Sequence, residues 1–401
     1  MNYYKKNAPL CGSFDVFEHV DWDARMLITP TNYSTHWQTP LEVQSLLRSY
    51  DVDVPDMVDA QDLSRTGSAH IRCDKLAIFV WFDRNSTSNA KGYYDSDDAQ
   101  TFYNKIWANE DYEGLFHVGR YDLLTDAERA TLTLQQQIRR AEELHELELV
   151  QHIRRHLQLD RIADDTLKGT LRVVDLGCGY GGLLRRLYKE GLIWKGTGID
   201  FSHKMCKEAR ERNTALLLNT TIPATTAATA TTSTNTLEIL EESYLQLSVG
   251  DESVDVVISM DSLLHVGPER QRSVIREVYR MLRPGGWIIF SDIMQNDVVN
   301  EDEMQPIYDR INISKMGTIS TYKSALTDTG FTNFSTEIHS SNIAVHYGNV
   351  LEVTRRKGNE IGLSPAYIKK AVDGLKVWTE HSPGNIVWAT MAAQKTHKVV
   401  V

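Results

Sequence analysis

Cysteine, positive charge and long apolar runs are all scarce in this 401-residue chain, and each scarcity narrows what it can be. The four cysteines, Cys11, Cys73, Cys178 and Cys206, show no CxxC spacing and no paired framework, so a disulfide scaffold is not expected. Buried reduced thiols in a reducing compartment are. Lys and Arg number 43 against 54 Asp and Glu, giving a formal net charge of -11, and a nucleic acid or an anionic membrane would have to be engaged against that field. The opening MNYYKKNAPLCGSF holds no apolar core of signal-peptide length, and LAIFVWF is about a third of the ~20 residues that span a bilayer. These absences predict a soluble, cytoplasmic protein with a small-molecule partner, no nucleic acid and no membrane. Monomer and homodimer both stay open.

What is present begins with length, which suffices for one large domain or two smaller ones. Residues 1 to about 90 read as irregular, with one helical pattern (PLEVQSLLRSY) and one strand-like run (KLAIFVWFDRN), and carry no motif. From Ser96, SDDAQTFYNKIW has helical spacing behind an acidic start, and a long helix is predicted from about Asp126 to Leu157. Strands then alternate with helices: LRVVDL, a helix after Gly182, KGTGID, a helix from His203 to Asn213, VDVVISM, PERQRSVIREVYRML and GWIIFSD. That order predicts an α/β protein with a Rossmann-like, doubly wound sheet, whose ligands bind beyond the carboxyl ends of the strands. A Thr- and Ala-rich tract at 214–237 breaks the rhythm and is expected as a mobile loop, with a strand as the alternative. Three helical patterns, MQPIYDRINISKM, TYKSALTDTG and SPAYIKKAVDGLKVWTE, precede a closing strand in NIVWATMAAQK.

The segment VVDLGCGYGG, Val173 to Gly182, places four glycines in six positions at the end of an apolar run. Gly177, Gly179 and Gly182 satisfy GxGxxG, a weak signal by itself, although glycine is costly unless a positive φ or a close approach requires it. Asp200 ends the next strand, where a carboxylate can accept both hydroxyls of a ribose. Glycines and acid together admit either NAD or S-adenosylmethionine (SAM).

The ordered set VVDLGCGYGG, GIDFSHKMCKEA, VDVVISMDSLLHV and MLRPGGWIIFSD resembles the class I SAM-dependent methyltransferases over residues 165 to 295. The flanking YYDSDDAQTFYNKIWANEDYEGLFHVGRY, SDIMQNDVVNEDEMQPIYDRINISKMGTISTY and AVHYGNV extend the likeness to the sarcosine/dimethylglycine N-methyltransferases of glycine betaine synthesis, from Gly92 to Lys395. The pattern departs in two places: four residues around EGLF stand inserted before HVG, and the first ninety have no counterpart. Residues 1–90 are expected to be an extension or a small subdomain, and the resemblance implies a helical lid at 91–160 and a methyltransferase domain at 161–398 with inserted helices at 300–330. It further implies that Gly177 and Gly179 pass under the methionine of SAM, Asp200 holds the ribose, and Phe201 and Met205 flank the adenine. Ser243, Tyr244, Met260 and the lid residue Trp107 complete the expected cofactor contacts.

Methyl transfer is an in-line displacement, so most of the protein's contribution is positioning in a closed, dry pocket. An amine nucleophile, with a pKa near 10 by analogy with lysine, must also shed a proton, which a thioether need not. His265, just beyond a strand, is the candidate base or orienter, against the alternative of a histidine satisfied at a helix start. Related small-amine methyltransferases pair this histidine with a lid tyrosine that matches Tyr94. Asp261 could receive a cationic nucleophile or cap the following helix. Arg310 is the first choice for a substrate carboxylate, with a surface ion pair as its alternative, and His346 and Tyr347 stand behind it. Tyr94, Trp107, Tyr322 and Trp388 offer faces to an onium centre, with core packing as the alternative for the lone residues Trp107 and Trp388. No metal is expected. Other readings remain: an S-methyltransferase acting on 4-methylthio-2-hydroxybutyrate in dimethylsulfoniopropionate synthesis, a phosphoethanolamine-type N-methyltransferase, an NAD-dependent dehydrogenase, and a silent SAM-binding partner.

Overall fold

The computed structural model describes residues 96–107, 116–159, 170–219, 236–245, 247–311 and 313–396, and the backbone of 68–73 and 76–81. Two compact units divide the chain at Ser88. In the first, β1 (Ser68–Cys73) pairs antiparallel with β2 (Leu76–Trp81), the run that reads as a strand from sequence.

The second unit is built on seven strands: β3 (Leu171–Leu176), β4 (Ile193–Asp200), β5 (Thr236–Glu241), β6 (Val254–Met260), β7 (Leu282–Gln295), β8 (Phe331–Ile338) and β9 (Ile386–Lys395). They lie in the order β5-β4-β3-β6-β7-β9-β8, parallel from β5 to β7, with β9 antiparallel to both of its neighbours. β3 and β6 are apolar and almost wholly buried, as strands covered on both faces must be. The chain leaves β3 toward β4 and β5, then returns to β6 on the other side. The crevice between the ends of β3 and β6 is therefore the topological switch point where open α/β sheets bind ligands.

Ten helices are described. α1 (Asp97–Phe102) continues into a wider turn at Tyr103–Trp107. The single helix expected over 126–157 is two, α2 (Asp126–Thr131) and α3 (Leu134–His156). Thr125 with Glu128, and Thr133 with Gln136, each close a capping box, so the second threonine starts a new helix where the first has ended. The sheet helices are α4 (Gly182–Lys189), α5 (His203–Asn219) and α6 (Pro268–Met281). α5 runs six residues beyond the predicted end and β5 begins at Thr236, so both ends of the expected 214–237 loop are regular structure, and 220–235 lies outside the described residues. α7 (Glu301–Ile311) and α8 (Ile319–Thr329) follow β7, and α9 (Ser341–Lys357) and α10 (Pro365–His381) precede β9. α1, α3, α7, α9 and α10 share one apolar core with Trp107, Tyr347 and Trp378 at its centre, set over the switch point.

Candidate active site

At the end of β3 the backbone turns through Gly177 (φ 74°), Gly179 (φ 51°) and Gly181 (φ 78°) before α4 begins. A Cβ on Gly177 would overlap the Tyr244 hydroxyl and Ser262 Oγ, and one on Gly179 would overlap the Phe116 ring. Both close approach and positive φ demand glycine here. Asp200, at the tip of β4, accepts from the backbone N–H of Gly179 at 3.0 Å and of Ser202 at 2.9 Å, tying the two strand ends together. Burial, followed by the charges of Asp200 and Glu146, pushes the Asp175 carboxyl up to about 8.

β6 ends in Asp261, a non-glycine residue at φ 49°, a conformation tolerated where surrounding bonds fix it. Its Oδ2 accepts from the backbone N–H of Val118 at 2.9 Å; its Oδ1 accepts from Ser291 Oγ and from Trp388 Nε1, each at 2.8 Å. His265 follows in the helical turn Leu263–Val266, where burial brings its pKa down to about 4 and keeps the ring neutral. Asp175, Gly177, Asp200, Asp261 and His265 line a cavity of about 390 Å³, to which Trp107 and Phe116 and, from α7, Arg310 also contribute.

A family profile described as Methyltransferase domain matches residues 174–290. The sarcosine/dimethylglycine N-methyltransferase of Halorhodospira halochloris is 31% identical over 78% of this chain and 98% of its own length. The dimethylglycine N-methyltransferase of Parasynechococcus marenigrum is 30% identical over 77% of this chain and 96% of its own. Among solved structures, a protein of Galdieria sulphuraria described as a sarcosine dimethylglycine methyltransferase superposes with a TM-score of 0.61, at 24% identity, over 75% of this chain and 99% of that one. The chain belongs to the sarcosine/dimethylglycine N-methyltransferase family. It is a SAM-dependent methyltransferase with the class I fold.

The residues of the methyltransferase fit SAM: the Gly177 backbone borders the cavity directly, and an acid, Asp175 or Asp200, lines it at each of the first two strand ends. Of the residues singled out from sequence, Trp107, Gly177, Asp200, Phe201, Met205, Tyr244, Met260, Asp261, His265, Arg310 and Tyr347 line the one cavity. Gly179 forms the turn behind it, and Ser243 turns its hydroxyl to the Leu245 N–H beside Tyr244. Arg310 makes no ion pair among the described residues, and its guanidinium lies over the Tyr347 ring at 5.9 Å. Tyr94 lies outside the described residues.

Three residues are not brought to the cavity. Tyr322 is wholly buried on the inner face of α8 and donates to Asp292 Oδ2 at 2.6 Å, so its ring is core and not an onium wall. His346 sits behind Trp107, ring centroids 5.0 Å apart, with Nδ1 3.1 Å from the Tyr121 hydroxyl. Burial takes its pKa down to about 3, which rules out a cationic partner for a carboxylate. Trp388 stands behind the wall and touches the site through Asp261. In the other direction, Asp175, Phe116, His117 and Ser262 line the cavity without having been singled out. Asp175 was legible as an acid inside the apolar strand that leads into the glycine turn; Phe116 and His117, ahead of α2, carry no periodic signal.

Proposed function

We propose that the enzyme methylates the nitrogen of a small amino acid of the sarcosine and dimethylglycine class, yielding an N-methylated betaine. The carrying observation is that Asp261 and Arg310, of opposite charge and on different elements, line the same cavity as the glycine turn. A zwitterion offers an ammonium to the first and a carboxylate to the second, which a guanidinium can hold by two bonds. The names of the relatives support the same substrate class. This activity belongs in the cytoplasm, and among the described residues no helix is long and apolar enough to cross a membrane.

Bound SAM supplies a methyl carbon already activated on a sulfonium. In this reading Asp200 holds its ribose, the Gly177 and Gly179 backbone admits its methionine, and Phe201 and Met205 flank its adenine, with Ser243, Tyr244, Met260 and Trp107 around it. Asp261 faces the substrate nitrogen, and three donors from the lid, β7 and β9 fix the carboxylate in place. Neutral His265 orients the nucleophile, the role in which the sequence resemblance pairs it with Tyr94. Trp107, Tyr347 and Trp378 exclude water, so alignment and desolvation supply most of the acceleration.

Incubation with methyl-labelled SAM and an equal mixture of sarcosine, dimethylglycine, phosphoethanolamine and 4-methylthio-2-hydroxybutyrate tests this. Label in the two amino acids is expected; label confined to the thioether would replace the reading by S-methylation.

A further inference from the structure

The segment ahead of α2 places His117, the histidine of HVG, against the acid that follows β6. One ring nitrogen of His117, one of His145 and a carboxylate oxygen of Asp261 lie within 4.8 Å of one another. His117 and Asp261 both line the cavity. Two of the three are already engaged. Asp261 accepts from Val118, Ser291 and Trp388. Ser291 gives its proton to Asp261, so its oxygen is left to accept from His145 Nε2, 3.0 Å away. His117 differs. Its Nδ1 lies 3.0 Å from the carbonyl oxygen of Val118, which can only accept, so Nδ1 carries the hydrogen and Nε2 presents a lone pair. That Nε2 is buried and has no hydrogen-bond partner among the described residues.

A buried acceptor without a donor, on a residue that lines the ligand cavity together with Asp261, calls for a donor, and an acid nearby favours one that bears positive charge. We propose that His117 Nε2 receives the N–H of the substrate ammonium and takes its proton, which makes His117 a catalytic residue of the lid. The assignment rests on the amine reading above. The N–H bond breaks and its electron pair stays on nitrogen. That pair then forms the new C–N bond as the C–S bond of SAM breaks and leaves its pair on the thioether sulfur. The proton on the imidazolium passes to water when the cavity opens. Ammonium and imidazolium carry the same charge, so transfer between them leaves the net charge of the dry cavity unchanged, and Asp261 faces either. Burial, then His145 on α3 and His346 on α9, keep the His117 ring neutral before substrate arrives. A thioether would bring no proton and leave Nε2 unsatisfied.

The test is His117→Asn, whose amide can keep the bond to the Val118 carbonyl while removing the second nitrogen, with His117→Gln as a second variant should the first fail to bind SAM. With dimethylglycine we expect kcat to fall by roughly 100-fold near neutral pH, the lower end for loss of a general base. The loss should shrink as pH rises toward the amine's own pKa, while SAM affinity by calorimetry stays within about twofold of wild type. A variant that binds SAM and retains wild-type kcat and pH profile overturns the role of His117 while leaving the amine reading intact. Failure of the wild-type enzyme to methylate either amino acid overturns both.

Discussion

The indole Nε1 of Trp388, wholly buried on β9, donates to Asp261 Oδ1 at 2.8 Å at the end of β6. The strand that closes the sheet thereby aims a carboxylate of the active site from two strands away. Trp388→Phe keeps the ring's bulk and removes the donor. A hydrogen bond to a charged acceptor contributes about 1.5–3 kcal/mol, so kcat/KM should fall by about tenfold or more. Steady-state kinetics with dimethylglycine, beside an unchanged SAM affinity, checks this.

Asp200 ties the glycine turn to β4 and faces the cavity. Asp200→Ala should weaken SAM binding by about tenfold or more, again from loss of bonds to a charged group, with circular dichroism unchanged. Unaltered affinity by titration calorimetry would show the ribose to be held elsewhere.

Asp175 is held up to about 8 by burial first and its acidic neighbours second, so it is largely protonated at pH 7 in the ligand-free enzyme. A cationic ligand beside it lowers that value, and SAM binding should release a fraction of a proton at pH 7. Calorimetry in two buffers of different ionisation enthalpy measures the release, and Asp175→Asn should abolish it.

The same shift makes a stability prediction. With a folded pKa above the ordinary carboxylate value, Asp175 contributes stability that is lost as pH rises toward 8. Histidines act in the opposite sense. His156 and His339 are held at about 4, in each case mainly by burial, so the stability of their neutral forms is present above about 6.5 and lost as pH falls through 4. Asp175→Asn should therefore gain melting temperature relative to wild type at pH 8, and His156→Gln should gain relative to wild type at pH 4.5. Differential scanning of the ligand-free proteins reads both.

Much of this architecture is legible in the sequence because β3, β4, β6 and β7 are apolar runs ended by Asp200, Asp261 and the glycine turn, and parallel strands buried on both faces leave that mark. β8, FTNFSTEI, leaves none: it is an edge strand with most side chains exposed or half-exposed, and its alternation is weak. The break between α2 and α3 was written in two successive threonine boxes but masked by continuous helical periodicity across them. At the site, residues adjacent to strand ends could be found by position alone. Tyr322, His346 and Trp388 could not be sorted between wall and core, because which face of a helix or strand meets a cavity depends on packing against elements far away in sequence. His117 stood in HVG with no role attached, and the bond from Val118 N–H to Asp261 is what gives it a place.

The most direct test of N-methylation is the ratio of kcat/KM for dimethylglycine to that for 4-methylthio-2-hydroxybutyrate, measured on one preparation of the full chain with saturating SAM. We predict a ratio of about 100 or more, since a site built to hydrogen-bond an N–H discriminates strongly against a substrate lacking it. A ratio near one, or below it, would contradict the account.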